Sequence, residues 1–405
     1  MTGDAIRRLR LELEQELKGN ILPWWMSVAP DRELGGFHGH ITHQNHAVRG
    51  AGKGAVLHAR VLWTFSAASR MYGLPEYLET ARLAYDYILK HFLDDTCGGV
   101  YWELDPDGRV RSSRKQIYAL AFTLYALVEY HLASGEDRPL QLAIGLYTDT
   151  EAHAFDRQHN GYTEALSREW GELEDLRLSE KDENVSKTMN THLHILEAYA
   201  NLCRVWKDPD LERSLENLIG LFLERFVDRE RSRLNLFFDR EWALKSSLVS
   251  FGHDIECSWL LHEAAGILGR PELEAETGSL SVAMAEATLT GLAGDGGLFY
   301  EFNPETHVLD TDRHWWPQAE AMVGYFNAYQ ISGREVFLDR ALGIWNFIRE
   351  HLIDREHGEW HWSVDASGKP QTTREKAGFW KCPYHNGRAC MELIRRIDQM
   401  NLIQS

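Results

Sequence analysis

The stretch GGVYWELDPDGRVRSSRKQIYALAFTLYALVEYHLA, residues 98–133, contains the pattern on which the fold reading rests. Its glycine pair, Gly98-Gly99, opens a short alternating run, Val100-Tyr101-Trp102, which reaches a turn signal at Asp105-Pro106-Asp107-Gly108 and reads as a hairpin or strand-like loop. From about Lys115 to Ala133, the apolar residues Ile117, Leu120, Ala121, Leu124 and Leu127 recur at helical steps. A second helical stretch follows, from about Arg138 to Ala152.

The same plan recurs along the chain. Related marker segments are Gly35-Gly36-Phe37, Asn160-Gly161-Tyr162, Ser232-Arg233-Leu234, Gly296-Gly297-Leu298-Phe299-Tyr300 and Gly358-Glu359-Trp360. With markers at 36, 99, 161, 234, 297 and 358, the steps are 63, 62, 73, 63 and 61 residues. Later units repeat the helix pair as Asn190 to Trp206 with Leu211 to Phe226, and Asp254 to Leu268 with Pro271 to Thr288. No single helical hairpin buries its own apolar face, so six copies are expected to stack. A closed ring is preferred over an open solenoid, because six is a natural ring number and neither terminal unit resembles a polar cap. The expected fold is all-α: an (α/α)6 barrel with short β-hairpins or loops at one mouth. No linker rich in Pro, Gly or Ser divides it, so residues 1–405 are read as one domain.

Composition narrows the partners. The chain has 405 residues, 44% of them hydrophobic, with 43 Lys and Arg against 61 Asp and Glu, for a formal charge of −18. That charge repels phosphate backbones and anionic lipid surfaces, so neither nucleic acid nor membrane is an expected partner. No apolar run approaches the roughly 20 residues of a membrane-crossing helix, and the opening residues lack a signal-peptide pattern. Cys97, Cys203, Cys257, Cys382 and Cys390 are odd in number and have no CxxC spacing, so reduced structural thiols and a cytoplasmic location are expected.

If the first helix of each unit lines the ring, the segments at their starts meet at one mouth. They include Arg60, Tyr118, Asn190, His194, His253, Glu256, Trp316, Trp380 and His385. Flat aromatic faces beside hydrogen-bonding groups suit a carbohydrate. Three histidines at equivalent places in the repeat point to proton transfer, since imidazole exchanges a proton near neutral pH. Glu256, three residues after His253, shares its helix face and is a candidate to orient an imidazole or hold a hydroxyl. Asp254 is turned away and reads as a cap or structural acceptor.

His38-x-His40, His192-x-His194 and His357-x3-His361 invite a metal, yet His192 and His194 fall on different helix faces. His38, His40, His43 and His46 read as solvated or loop-packing residues, and no metal or cofactor is expected. Asp182, Asp254, Glu256, Glu301 and Glu320 are the carboxylates a glycoside hydrolase would use, but the three placed histidines favour proton transfer.

The motifs LHARVLW around Arg60, Met189-Asn190-Thr191-His192-Leu193-His194, Ser250-Phe251-Gly252-His253-Asp254-Ile255-Glu256, His314-Trp315-Trp316-Pro317-Gln318-Ala319-Glu320 and Trp380-Lys381-Cys382-Pro383-Tyr384-His385-Asn386-Gly387-Arg388 carry a resemblance. Together they resemble the N-acylglucosamine 2-epimerase superfamily, and within it the cellobiose 2-epimerases, from about residue 10 to about residue 395. The resemblance implies reversible, metal-free epimerisation at C2 of a reducing-end glucose, in cellobiose or related β-1,4-disaccharides such as lactose. It implies ring opening and a cis-enediolate, with His253 and His385 as the acid/base pair and His194 assisting ring opening or holding the anomeric oxygen. Arg60 and Asn190 would stabilise the enediolate oxygens. Tyr118 and Glu256 would bind hydroxyls or orient an imidazole, Trp316 and Trp380 would stack on the sugar, and Asp182 and Glu301 would make substrate-side contacts. Many relatives carry a histidine where this chain has Gln116. Mannose 2-epimerases and aldose–ketose isomerases share the motifs, so a monosaccharide substrate is the alternative, followed by a hydrolase or a protein-binding scaffold. The working unit is expected to be a monomer or homodimer.

Overall fold

The protein is described from a computed structural model covering residues 2–404. Its helices in chain order are α1 (Thr2–Glu16), α2 (Leu22–Ser27), α3 (Ala55–Tyr72), α4 (Pro75–Tyr87), α5 (Ile117–Ser134), α6 (Asp137–His153), α7 (Met189–Val205), α8 (Pro209–Leu221), α9 (Phe251–Leu268), α10 (Pro271–Thr288), α11 (Trp315–Ser332), α12 (Glu335–Phe347) and α13 (Tyr384–Gln404). The odd-numbered helices from α3 to α13 pack in sequence as an inner ring, and α13 returns to α3. Outer helices α4, α6, α8, α10 and α12 each cover the inner helix that precedes them, and α1 covers α13. The ring is therefore closed, as the six-fold period predicts, with one refinement. The sixth hairpin is assembled from the two ends of the chain, clasped where Arg10 Nε donates to Asp398 Oδ1 at 2.8 Å.

The two layers differ as their neighbours require. In α5 every residue from Ile117 to Tyr130 is buried, so the helix is apolar on all sides. It is the one described helix long and apolar enough to cross a membrane, and here it is enclosed by α3, α6 and α7. Outer helices need only one apolar stripe. In α8 the buried residues Leu211, Leu215, Leu218 and Ile219 supply it, each stabilising the fold by roughly 1.5–3 kcal/mol. Pro209 occupies the first turn of α8, and the Asp208 carboxylate accepts from the backbone N–H groups of Asp210 and Leu211. A proline with no N–H to satisfy and a capping carboxylate both favour starting a helix there.

Short antiparallel ladders close the ring a second time. The strand before each inner helix pairs with the hairpin of the next unit: Lys53–Gly54 with Glu103–Leu104, Lys115–Gln116 with Ala165–Leu166, and so on round to Ala377–Gly378 with His40–Ile41. The glycine markers sit under these ladders. Gly36 (φ +65) and Gly161 (φ +83) are left-handed, and a Cβ on either would lie 2.8 Å or 3.0 Å from Nε2 of His58 or His192. Those imidazoles accept the next backbone N–H, from Phe37 at 3.2 Å and Tyr162 at 2.9 Å, and so bolt each turn to its inner helix.

Candidate active site

Because all six inner helices begin at the same mouth, their first turns deliver side chains to one cavity of about 380 Å³. Arg60 comes from α3, Tyr118 from α5, Asn190 and His194 from α7, His253 and Glu256 from α9, Trp316 from α11 and His385 from α13, with Trp380 just before α13. Asp182, from the loop before α7, and Glu301, from the strand Glu301–Asn303, complete the wall. Every site residue expected from the sequence lines this one cavity. Asp254 and Glu320, considered above as hydrolytic carboxylates, do not line it. Asp254 accepts from Leu234 N at 2.8 Å and Arg233 Nη1 at 2.7 Å, the structural role expected for it.

Each of the three imidazoles is held by one partner at Nδ1. His194 is 3.0 Å from Glu197 Oε2, His253 is 2.8 Å from Ser250 Oγ and His385 is 2.6 Å from Glu320 Oε1. Glu320 therefore orients His385, while Glu256, expected as an orienter, stands 3.9 Å from it. Burial lowers all three imidazoles: His253 falls to about 3, and His385 falls well below its usual range with help from the Arg60 and Arg388 cations. They are uncharged at neutral pH and able to accept a proton. His253 and His385 pack against the same indole, that of Trp316, with ring centroids 4.7 and 5.7 Å away.

Beneath the histidines lies a buried charge cluster centred on Arg388. Its Nη2 donates to Glu320 Oε1 at 2.6 Å and Glu256 Oε1 at 3.0 Å, and its Nη1 donates to Glu197 and the Tyr384 hydroxyl. Glu256, Glu320 and His385 bring ligand atoms within 4.8 Å of one another, close enough to hold a cation. The Arg388 guanidinium already sits among the two carboxylates as their counter-charge. Burial raises both carboxyls, and for Glu256 the neighbouring Glu320 adds to the effect.

Arg60 reaches the same Tyr384 ring as Arg388, and is fixed where Nη2 donates to the Tyr118 hydroxyl at 2.7 Å and Nη1 to Trp380 O at 3.3 Å. Its guanidinium lies 4.2 Å from the Phe122 ring centroid. Asn190 Oδ1 and Arg60 Nε make no hydrogen bond within the protein. Toward the outside, burial raises Asp182, and Glu301 goes up to about 7. The Lys181 ammonium lies 5.6 Å from the Tyr300 ring centroid between them.

Sequence reasoning missed Ser250, Glu197, Tyr300, Arg374, Glu375 and Trp362. Ser250 and Glu197 each stand three residues from a histidine of the site, a spacing that brings them onto one helical turn. The others come from hairpins whose fold only the ring defines. Gln116 does not line the cavity; its Nε2 donates to Leu176 O at 3.2 Å behind the wall.

Comparison with known proteins places these features in context. The sequence profile of N-acylglucosamine 2-epimerases matches residues 35–389. A cellobiose 2-epimerase of Bacteroides fragilis is 52% identical over 386 residues, covering 95% of this chain and 98% of that protein. One from Ruminococcus albus is 38% identical with the same coverage. The solved structure of cellobiose 2-epimerase from Bacillus thermoamylovorans superposes with a TM-score of 0.92 at 40% identity, covering 96% of this chain and all of that one.

Proposed function

This chain belongs to the N-acylglucosamine 2-epimerase family, and on that premise we propose how its cavity works. The enzyme is a cellobiose 2-epimerase, interconverting glucose and mannose at the reducing end of cellobiose. Trp316 and Trp380 offer faces for the sugar, and Asp182 and Glu301 at the outer wall take hydroxyls of the second ring. His194, steadied by Glu197, helps the reducing ring open to the aldehyde.

A C2–H bond beside an aldehyde ionises because the electron pair moves onto the carbonyl oxygen, giving a cis-enediolate. One imidazole of the His253/His385 pair takes the C2 proton, and the other returns a proton to the opposite face. Arg60, which is held by Tyr118 and the Trp380 carbonyl, places a fixed cation at the enediolate oxygens with Asn190 beside it. Burial pushes Glu320 up and His385 down, so their 2.6 Å hydrogen bond holds one proton between them. With Nδ1 taken by Glu320, Nε2 of His385 is the nitrogen left for the sugar: as Nε2 gives its proton to C2, the shared proton passes from Glu320 to Nδ1 and keeps the imidazole neutral, and epimerisation in the reverse direction runs the same transfers backwards. The observation that carries this reading is the packing of two uncharged, separately anchored imidazoles against one indole.

No step calls for a metal. The described cysteines are free thiols, which suits a reducing compartment, and we place the enzyme in the cytoplasm as a monomer or homodimer. The test is proton NMR of cellobiose and, separately, mannose incubated with enzyme in D2O containing EDTA. Glucosyl-mannose carrying deuterium at C2 is the expected product. Turnover of mannose alone, or a ketose product, would contradict the reading.

A further inference from the structure

In five of the six units, an aspartate in the glycine-marked turn pairs with a cation that opens or immediately precedes the short strand leading into an inner helix. The pairs are Asp31–Lys53 at 2.8 Å, Asp94–Lys115 at 2.9 Å, Asp156–Lys187 at 3.1 Å, Asp295–Arg313 at 2.7 Å and Asp354–Lys376. In the second and third units an arginine adds a further positive charge to the same carboxylate, Arg168 at 2.8 Å and Arg240 at 3.3 Å. In the sixth unit His43 stands at the register of that arginine, two residues past its strand, and His357 and His361 from the aspartate's own turn join it. The Nδ1 atoms of His43, His357 and His361 lie 3.7, 3.6 and 3.7 Å from Asp354 Oδ2.

Asp354 Oδ1 is used by the backbone N–H groups of Glu356 and His357, each at 3.0 Å, while Oδ2 accepts from Lys376 Nζ and is turned toward the imidazoles. Nδ1 of His357 and of His361 are buried and make no hydrogen bond. The His43 and His361 rings stack at 5.1 Å, and ligand atoms of His43, Asp354 and His361 lie within 4.8 Å of one another. Two imidazole nitrogens and one carboxylate oxygen form a donor set that suits zinc or a neighbouring divalent transition metal, with the fourth position falling to His357, whose Nδ1 stands 3.6 Å from the same oxygen, or to water.

We propose that His43, His361 and Asp354, with His357 or water as a fourth ligand, form a binding site for a divalent transition-metal ion of the zinc class, separate from the catalytic cavity. The ion takes the place that the added arginine fills in the second and third units. Lys376, which also donates to Gly358 O at 3.0 Å, keeps that contact when it yields Asp354 Oδ2 to the metal. The site backs onto the cavity wall, since His361 adjoins Trp362 and Lys376 adjoins Glu375, both of which line the cavity.

The test uses the full chain, stripped with a chelator and titrated with zinc chloride by calorimetry, alongside His361→Gln, His43→Gln and His385→Gln. One zinc per chain is expected, with affinity reduced at least about tenfold in His361→Gln and in His43→Gln and unchanged in His385→Gln. Cobalt chloride provides a second readout: the wild type is expected to show the intense visible bands of four-coordinate cobalt, and His361→Gln to lose them. Undiminished zinc affinity in both loop variants, or loss of binding in His385→Gln instead, would overturn the proposal. So would a cobalt spectrum of the six-coordinate, water-like type in the wild type. Because epimerisation is assayed in EDTA, failure of this site leaves the catalytic reading untouched, and the reverse also holds.

Discussion

The Nδ1 of His385 lies 2.6 Å from Oε1 of Glu320, and that same oxygen takes Nη2 of Arg388 at 2.6 Å. One carboxylate therefore anchors an imidazole of the active site and neutralises the cation below it. Replacing Glu320 by Gln keeps an oxygen for Nδ1 but removes the charge and the shared proton. The expected result is a folded enzyme with kcat down by roughly 10²-fold or more and KM little changed. A matching rise in KM with kcat intact would mean that Glu320 only shapes the binding wall.

Trp316 touches both imidazoles, whereas Trp380 packs near Tyr118 with centroids 6.1 Å apart. Trp316→Ala is expected to lower kcat as well as raise KM, because the two proton-transfer groups lose a common support. Trp380→Ala is expected to act mainly on KM, by about tenfold, the worth of one lost aromatic contact. Steady-state kinetics on cellobiose separates the two patterns.

Arg60 uses two nitrogens at once, one on the Tyr118 hydroxyl and one on Trp380 O. A lysine keeps the charge but presents a single point donor. Arg60→Lys should therefore lose on the order of 10²- to 10³-fold in kcat, the usual cost of removing a positioned oxyanion donor. Near-normal turnover in this variant would show that charge alone suffices at that position.

His58 and His192 are buried structural histidines, both pushed down to about 3 by desolvation from an ordinary value of 6.5. Above pH 6.5 they are neutral in both the folded and unfolded chain and contribute no pH dependence. Below 6.5 the unfolded chain takes up their protons and the folded chain does not, so stability falls steadily as pH drops from 6.5 toward 3. Urea unfolding between pH 7.5 and 5 should show this slope, and His192→Gln should flatten it by about one proton while lowering the plateau. A slope unchanged in that variant would mean that His192 titrates normally in the folded protein.

Much of the architecture was legible because the repeat is written in residues with a local meaning. Glycines that must be left-handed, such as Gly36 and Gly161, and the apolar steps of α5 mark the period without help from tertiary structure. The sixth hairpin was harder to read, since α1 and α13 sit at opposite ends of the chain and only ring closure joins them. The same division holds in the cavity. His194, His253 and His385 were found because they recur at one place in the repeat, and His192 was rightly set apart because it faces Tyr162 N inside the wall. The sequence offers Glu320 only as a possible hydrolytic carboxylate, because nothing in it shows that this side chain meets a histidine 65 residues away. His43 was read as a loop-packing residue for a similar reason. Its neighbours His357 and His361 come from the far end of the chain, across the strand pair that joins the last unit to the first.

The central claim is that two histidines serve the two faces of one carbon, and isotope exchange at C2 tests it most directly. Cellobiose should be incubated in D2O with wild type, His253→Gln and His385→Gln, and the C2 proton followed by NMR. The account predicts that wild type makes C2-deuterated glucosyl-mannose. Neither variant should form it at more than a small fraction of that rate, and at least one variant should wash deuterium into unreacted cellobiose through the histidine that remains. Epimerisation at an undiminished rate in either variant would contradict it.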